Sequence, residues 1–128
     1  MSSNDRDTVF YEIETLEDLD KNVERFVKKK SFKSLPNQLE ELQLKLINGE
    51  FPGDRIRHRD EPEPVDVYKL RLPNPDTNAG KSNGYRIIYI VVTERRIVVL
   101  LTIYYKKEQE SVTDTYVNGL IDGYLMGL

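Results

Sequence analysis

The sequence lacks several residue types on which whole classes of protein depend. It has no cysteine, which excludes disulfide bonds and thiolate-bound zinc. Its single histidine, His58, excludes a metal site built from several histidines. The longest apolar runs, 87–92 and 97–101, are far shorter than a membrane span, and residues 1–7 are polar where a secretory signal would be apolar. We therefore expect a cytoplasmic protein with no membrane segment and no metal cofactor.

Length and composition indicate one domain with one core. The 128 residues are 38% hydrophobic and 32% charged, as in globular proteins with a well-charged surface. We therefore treat residues 1–128 as a single domain. The net charge of −3 conceals a basic middle, because residues 55–107 carry 11 Lys+Arg and 6 Asp+Glu between two acidic segments. Such a segment either attracts a polyanion or is ordinary surface clustering, and composition alone leaves both open.

The hydrophobic pattern of the first 50 residues predicts a strand followed by two helices. Residues 8–13 are a strand candidate, and Thr15 is a suitable N-cap for a helix. A second helix begins near Ser34 and ends at Gly49, and the short link between the two predicts an antiparallel hairpin. The apolar residues that we expect this hairpin to bury against a sheet are Leu19, Val23, Phe26, Leu39, Leu42 and Leu46.

Residues 51–66 are rich in proline, glycine and charge, which predicts a long loop. The loop contains His58 between Arg57 and Arg59. Two interpretations follow for this histidine. It is either an acid–base group whose pKa the two arginines lower, or an exposed side chain in a mobile loop, and we favour the second.

The remaining residues predict a sheet and a final helix. Three segments rich in β-branched and aromatic residues, 67–72, 85–92 and 97–105, have short connections and predict an antiparallel meander. Residues 108–128 have helical spacing. The expected fold is an α+β domain with an N-terminal strand, a helical hairpin, a three-stranded antiparallel meander and a C-terminal helix.

The segment NAGKSNGYR, residues 78–86, resembles the end of a phosphate-binding P-loop but does not satisfy that motif. Pro75 stands where the motif requires its first glycine, and the segment leads into a strand instead of a helix. We therefore expect no nucleotide cofactor. The segment is instead predicted to be a turn in which Gly80, Asn83 and Gly84 supply positive φ angles.

Cations flank this turn in a pattern that suits phosphate. The strand period places Lys69 and Arg71 on one side of their strand, and Arg86 follows the turn on the neighbouring strand. Lys81 lies on the turn, and a further basic pair, Lys106 and Lys107, follows the last strand. Four tyrosines lie nearby in the sequence: Tyr85, Tyr89, Tyr104 and Tyr105. Their rings either stack on unpaired RNA bases or pack in the core, and both readings stay open.

At this point the sequence resembles the RelE/ParE toxin superfamily, especially its RelE-like and HigB-like branches. The resemblance covers about residues 65–110 closely. The matching pieces, in order, are Tyr68-Lys69-Leu70-Arg71, Gly80-Lys81-Ser82, Gly84-Tyr85-Arg86-Ile87-Ile88-Tyr89 and Leu101-Thr102-Ile103-Tyr104-Tyr105-Lys106-Lys107.

The resemblance implies a toxin of a bacterial type II toxin–antitoxin pair. RelE-like members cut messenger RNA on the ribosome without a metal, and an antitoxin neutralises them by wrapping the basic groove. By position, the implied catalytic residues are Lys69, Arg71, Arg86 and Lys107. The implied RNA-binding residues are Lys81, Tyr85, Tyr104, Tyr105 and Lys106.

Three features depart from the RelE type. The sequence pI is about 5.3, a lysine stands at position 107 where that type has arginine, and Thr113 stands near its catalytic tyrosine. Tyr104, Tyr105 or Tyr116 is a candidate substitute for that tyrosine. These departures keep an alternative open, namely a ParE-like toxin that inhibits DNA gyrase, or an inactive homologue that only binds its antitoxin.

Overall fold

The structure is a computed structural model that describes residues 10–128. The strand expected at residues 8–13 therefore lies partly outside the described residues. The first strand that the structure shows is Glu12–Thr15. The helices and strands, in chain order, are β1 (Glu12–Thr15), α1 (Glu17–Lys28), α2 (Leu35–Ile47), β2 (Asp54–Arg59), β3 (Val65–Leu72), β4 (Tyr85–Val92), β5 (Ile97–Tyr105) and α3 (Asp114–Met126).

The strands form one five-stranded mixed sheet in the order β1-β5-β4-β3-β2. The expected antiparallel meander is confirmed, because β3 pairs with β4 and β4 pairs with β5, both antiparallel. The sheet is mixed because β1 lies parallel to β5 at one edge. Strand β4 is buried along its whole length, as its apolar residues on both faces predict.

The prediction of a loop over residues 51–66 is wrong for its first half. Residues 54–59 form strand β2, which pairs antiparallel with β3 and includes His58. The sequence does not indicate this strand, because β2 is an edge strand with charged side chains. Such strands lack the run of apolar residues that marks a central strand. Arg57 and Arg59 place their guanidinium groups on α3, where they donate to Asn118 and Asp122, both at 2.6 Å.

One face of the sheet is covered by the expected helical hairpin. Five of the six residues predicted to be buried are buried, and Val23 is partly buried against the same cluster. Sheet residues of this face, including Leu70, Ile87 and Val98, complete the apolar cluster. Among residues 10–128, no helix is long and apolar enough to cross a membrane.

The other face is covered only in part. Helix α3 packs Val117, Ile121 and Leu125 on an apolar cluster that contains Val67 and Ile88. The cluster ends at these two strand positions. Beyond it, the same face carries polar side chains at the end of the sheet where β3 ends and β4 begins, namely Lys69, Arg71, Arg86, Thr102 and Tyr104.

His58 is exposed, as in the favoured interpretation, but it lies among carboxylates on strand β2 and not in a loop. Its Nδ1 lies 2.6 Å from Asp66 Oδ1, and its Nε2 lies 3.0 Å from Asp60 Oδ1. Hydrogen bonds to these two carboxylates raise the pKa of His58, whereas the flanking arginines had suggested a lower value. The side chain remains exposed, but it belongs to a paired strand.

This pair of contacts predicts that His58 stabilises the fold in a pH-dependent way. The raised pKa means that its contribution is fully present below the unfolded value of about 6.5 and is lost as pH rises through the folded pKa. The free energy of unfolding should therefore fall more between about pH 6 and about pH 8.5 for the parent than for His58→Gln. Identical pH dependence of the two proteins would contradict the prediction.

Candidate nucleic-acid interface

The candidate interface is built on three adjacent strands. Arg71 of β3 lies opposite Arg86 of β4, and Arg86 lies opposite Tyr104 of β5. Lys69 shares their face, since it lies two residues from Arg71 along β3. Adjacent strands are about 4.8 Å apart, so these side chains emerge from one small area of the sheet. The predicted grouping of Lys69, Arg71 and Arg86 on one face is therefore what the register shows.

The three cations differ in their access to solvent. Arg71 is exposed and Lys69 is partly buried, whereas only 3% of the surface of Arg86 is exposed. Lys81 is also exposed, and it lines a cleft at the β3 edge together with Arg71. Arg71, Lys69 and Lys81 are thus the cations of this end of the sheet that a polyanion would meet first.

Arg86 is engaged with the backbone of the loop before it. Its Nη1 donates to the carbonyl oxygen of Lys81 at 2.8 Å and to that of Tyr85 at 3.2 Å, and its Nη2 donates to Ser82 at 3.0 Å. A phosphate-binding loop turns backbone N–H groups toward its anion. Here the Lys81 and Ser82 carbonyls instead bind a cation of the same chain. The first role of Arg86 is therefore to fix the loop.

The rest of the loop is a compact turn, although its backbone differs from the prediction. The backbones of Asn74 and Ala79 exchange two hydrogen bonds, of 2.7 and 3.0 Å. Asn78 adopts a positive φ of 58°, whereas Gly80, Asn83 and Gly84 do not have the predicted positive values. Gly84 is needed for a different reason. A Cβ atom there would collide with the carbonyl oxygen of Leu72.

The basic pair after β5 lies on a segment that is tied to α1. Glu108 accepts two hydrogen bonds from the Arg25 guanidinium, at 2.9 and 3.1 Å, and a contact from Lys30 at 3.1 Å. The hydrogen bond with Arg25 is the main cause of the lowered pKa of Glu108. Lys107, the residue before this anchor, is exposed, and Lys106 lies 3.7 Å from Glu110. The anchor therefore fixes the backbone beside Lys107.

The tyrosines divide between the two faces of the sheet. Tyr85 and Tyr105 lie on the face opposite the cations, where their rings pack with Phe26 and Phe32. Burial raises the pKa of Tyr85, and Tyr105 shares a 3.0 Å hydrogen bond with Thr77. Core packing is therefore the correct reading for these two, and the expected RNA contact has no support from their placement.

Tyr104 is the predicted tyrosine that shares the face of the cations, with 3% of its surface exposed. It lines a cleft of about 260 Å³ that the sequence did not indicate. This cleft is bounded by the first turns of α1, the end of β5, the segment 109–113 and the start of α3. Thr113, which the resemblance places near the position of a catalytic tyrosine, is the N-cap of α3 and accepts from the backbone N–H of Tyr116 at 3.0 Å.

The centre of the cleft is Asp18. Its carboxylate accepts hydrogen bonds from the hydroxyl groups of Thr102 and Tyr116, and from Asn22 Nδ2 at 3.4 Å. The only sequence signal for Asp18 was its place in the first turn of a helix, where acidic residues are common. Its contacts bring together residues that are up to 98 positions apart, which no local pattern reveals.

Solved structures identify the fold as RelE-like. The chain is similar to a double arginine-to-alanine mutant of the E. coli toxin RelE in the free state. The TM-score is 0.51, with 19% identity over 80% of this chain and 90% of that one. It is also similar to the isolated E. coli RelE toxin, with a TM-score of 0.46 and 19% identity over 88% of this chain and 97% of that one. No protein-family model and no curated protein matches the sequence. At such identity the first likeness establishes the fold, and the activity has to be argued from the site.

Arg86 and Arg71 lie opposite each other on adjacent strands, but Arg86 is buried and Arg71 is exposed. This difference in burial gives a stability prediction. Arg86→Ala leaves the two loop carbonyls without their donor and should lower the free energy of unfolding by about 1–3 kcal/mol. Arg71→Ala removes an exposed side chain and should change it by less than about 0.5 kcal/mol. Urea unfolding of the two variants measures the difference. Equal stability would show that Arg86 does not hold the loop.

A second pair of variants tests the close approach at Gly84. Gly84→Ala should destabilise the protein by about 1–3 kcal/mol, because the new methyl group forces the loop away from Leu72. Gly80→Ala is the matched control in the same loop, since a Cβ there meets no other atom within 4 Å. Thermal unfolding of both variants provides the comparison. If Gly80→Ala were the more harmful change, the packing of the loop would be other than described.

Proposed function

We propose that this protein is the toxin of a bacterial type II toxin–antitoxin pair, and that it cuts messenger RNA on the ribosome in the cytoplasm. The observation that carries the proposal is the group of cations Lys69, Arg71 and Arg86 on the open end of a RelE-like sheet. Arg71 is exposed, Lys69 is partly buried and Arg86 is buried behind them, and such a concentration of positive charge near the surface suits the phosphates of RNA. The acidic charge of the whole chain does not oppose this, because binding depends on the local field.

The chemistry that these cations support is attack by a ribose 2′-hydroxyl on the adjacent phosphate. The new bond from the 2′ oxygen to phosphorus replaces the bond to the 5′ oxygen of the next nucleotide. The hydroxyl proton passes to water, and the released 5′ oxygen takes up a proton. Negative charge builds on the phosphoryl oxygens during that attack, and fixed cations stabilise it. Exposed Arg71 can contact two phosphoryl oxygens at once, with Lys69 next to it on the same face. Lys107 is assigned to the side of the leaving oxygen. These roles use no metal ion.

Arg86, which the resemblance implies is a catalytic residue, is assigned a different role here. Its guanidinium donates to three backbone carbonyls, and these groups are neutral. Its positive charge is therefore not cancelled and adds to the field at the surface. We assign Arg86 to positioning the loop and supplying charge, and we assign direct phosphate contact first to Arg71.

The proposed partners follow from the same surface. The ribosome presents the messenger RNA, and a cognate antitoxin would neutralise the toxin by covering Arg71, Lys69 and Lys81. An antitoxin segment that does so should carry acidic side chains, because opposite potentials across an interface guide association.

The alternative is a ParE-like gyrase inhibitor, or an inactive homologue that binds only its antitoxin. Two observations favour it. Arg86 is occupied by loop carbonyls, and Thr113, near the position where the resemblance expects a catalytic tyrosine, serves as a helix cap. Primer extension on mRNA from cells that express the protein separates the two functions. Codon-phased breaks support the nuclease, whereas intact mRNA with gyrase-linked DNA damage supports the alternative.

The proposed nuclease should depend on Arg71 much more than on an exposed lysine elsewhere. Arg71→Ala removes a charge that contacts the phosphate in the transition state, and cleavage should fall about a hundredfold. Lys21→Ala is the control, because Lys21 is exposed on α1 and, within residues 10–128, its ion pair is with Glu17 of the same helix. Growth arrest and mRNA cleavage are measured for both variants after folding is checked. Full activity of Arg71→Ala would sink the assignment.

A further inference from the structure

We propose that the cleft around Asp18 is a nucleobase subsite that selects guanine. This inference rests on the proposed function, since it names the base that the RNA would present beside the cations. The cleft has about 260 Å³ of space, and among the described residues Asp18 is the only charged one that lines it. Its other lining side chains include the amides of Asn22 and Gln109 and the ring of Tyr104.

The charge of Asp18 limits what this cleft can bind. All three donors on its carboxylate are neutral, and within residues 10–128 no lysine or arginine nitrogen pairs with it. A carboxylate in this position repels a phosphate group. The part of RNA that this carboxylate attracts is an N–H donor on the edge of a base. Asp and Glu side chains contact bases by accepting such hydrogen bonds.

Guanine fits a carboxylate better than the other three bases do. Its N1–H and its exocyclic N2 amino group are adjacent donors, so they can reach both carboxylate oxygens in parallel. Adenine and cytosine place a ring nitrogen acceptor beside their amino group, and uracil places an acceptor on each side of its single N–H. Paired, charge-assisted hydrogen bonds of this kind add both strength and geometric selectivity.

Tyr116 occupies the place that the base would take. Its hydroxyl donates to the carboxylate oxygen Oδ2 of Asp18, while 45% of its surface is exposed. An exposed side chain can turn away, and guanine would then replace one neutral O–H donor with N–H donors. The released ring could cover the inserted base, as aromatic side chains do for unstacked bases in RNA complexes.

The cleft is joined to the cations through Tyr104. This residue lines the cleft and lies opposite Arg86, which lies opposite Arg71. Two strand spacings of about 4.8 Å separate β5 from β3. A base in the cleft and a phosphate at Arg71 are therefore within the span of one or two nucleotides.

The test is binding of short single-stranded RNAs that differ at one base, which is guanine, inosine, adenine or uracil. Fluorescence anisotropy measures the affinity of the parent, Asp18→Asn and Asp20→Asn. Asp20 is the matched control, since it is in the same first turn of α1 and its carboxylate accepts a hydrogen bond from Thr15, which is outside the cleft. The parent should bind the guanine RNA about tenfold tighter than the inosine RNA, which lacks the N2 amino group. Asp18→Asn should lose this preference, and Asp20→Asn should keep it.

Tyr116→Phe provides a second, independent variant. It keeps the ring and removes the hydroxyl that competes for Asp18, so guanine affinity should stay equal or rise. A fall in guanine affinity in Tyr116→Phe would overturn the proposal. So would equal affinity of the parent for all four RNAs, or a guanine preference that survives in Asp18→Asn.

Parallel cleavage assays separate this inference from the proposed function. A guanine preference with intact mRNA in cells would leave the subsite in place and remove the nuclease. Codon-phased cleavage that shows no guanine preference in either the parent or Asp18→Asn would support the nuclease and contradict the guanine subsite. Arg71→Ala should weaken the binding of all four RNAs by the same factor, because a contact with phosphate does not distinguish one base from another.

Discussion

The guanidinium of Arg86 is the one buried charge within the described part of the chain, and the open end of the sheet is arranged around it. A buried charge has to find hydrogen-bond partners, because its transfer from water is otherwise very unfavourable. Arg86 finds them in the backbone of its own loop, so the central strand and the loop before it form one unit. That unit sets where Lys81 and the end of β3 lie. The positions of the exposed Lys81 and Arg71 thus depend on the buried Arg86.

The two faces of the sheet are built by different kinds of contact. The hairpin of α1 and α2 covers its face with apolar side chains from both helices. Helix α3 covers only part of the other face. Its apolar contacts with the sheet are supplemented by polar contacts at the sides of the helix. Arg57 and Arg59 hold it on the β2 side, and Tyr124 donates to Glu14 on the β1 side at 3.0 Å. The apolar contacts of this face end at Val67 and Ile88. Beyond them the face is polar, with Arg71 exposed and Arg86 and Tyr104 buried.

Much of this fold could be predicted from the sequence because its signals are local. Period-two alternation placed Lys69 and Arg71 on one face, and leucine spacing identified the hairpin. Strand β2 was missed because its pairing with β3 satisfies the backbone, whereas its side chains are mostly charged. The alternative of a lowered His58 pKa is wrong because its neighbours in space are Asp60 and Asp66, although its sequence neighbours are arginines.

The candidate site was less predictable because its contacts join distant parts of the chain. Composition could not show that Tyr85 and Tyr105 face the core, since strand period only alternates faces and does not say which face the helices cover. The Asp18 cleft draws on α1, β5 and α3 together. The head of Arg86 could be placed only once the path of the loop was known.

The parallel pairing of β1 with β5 also has a consequence for how the protein folds during its synthesis. Residues 12–15 pair with residues 97–100, so the edge of the sheet stays open until most of the chain has been made. Contacts between distant residues are slow to form, because the intervening chain has to be ordered first. A ribosome that synthesises this protein therefore holds an unfinished sheet until the last strand has left its exit tunnel.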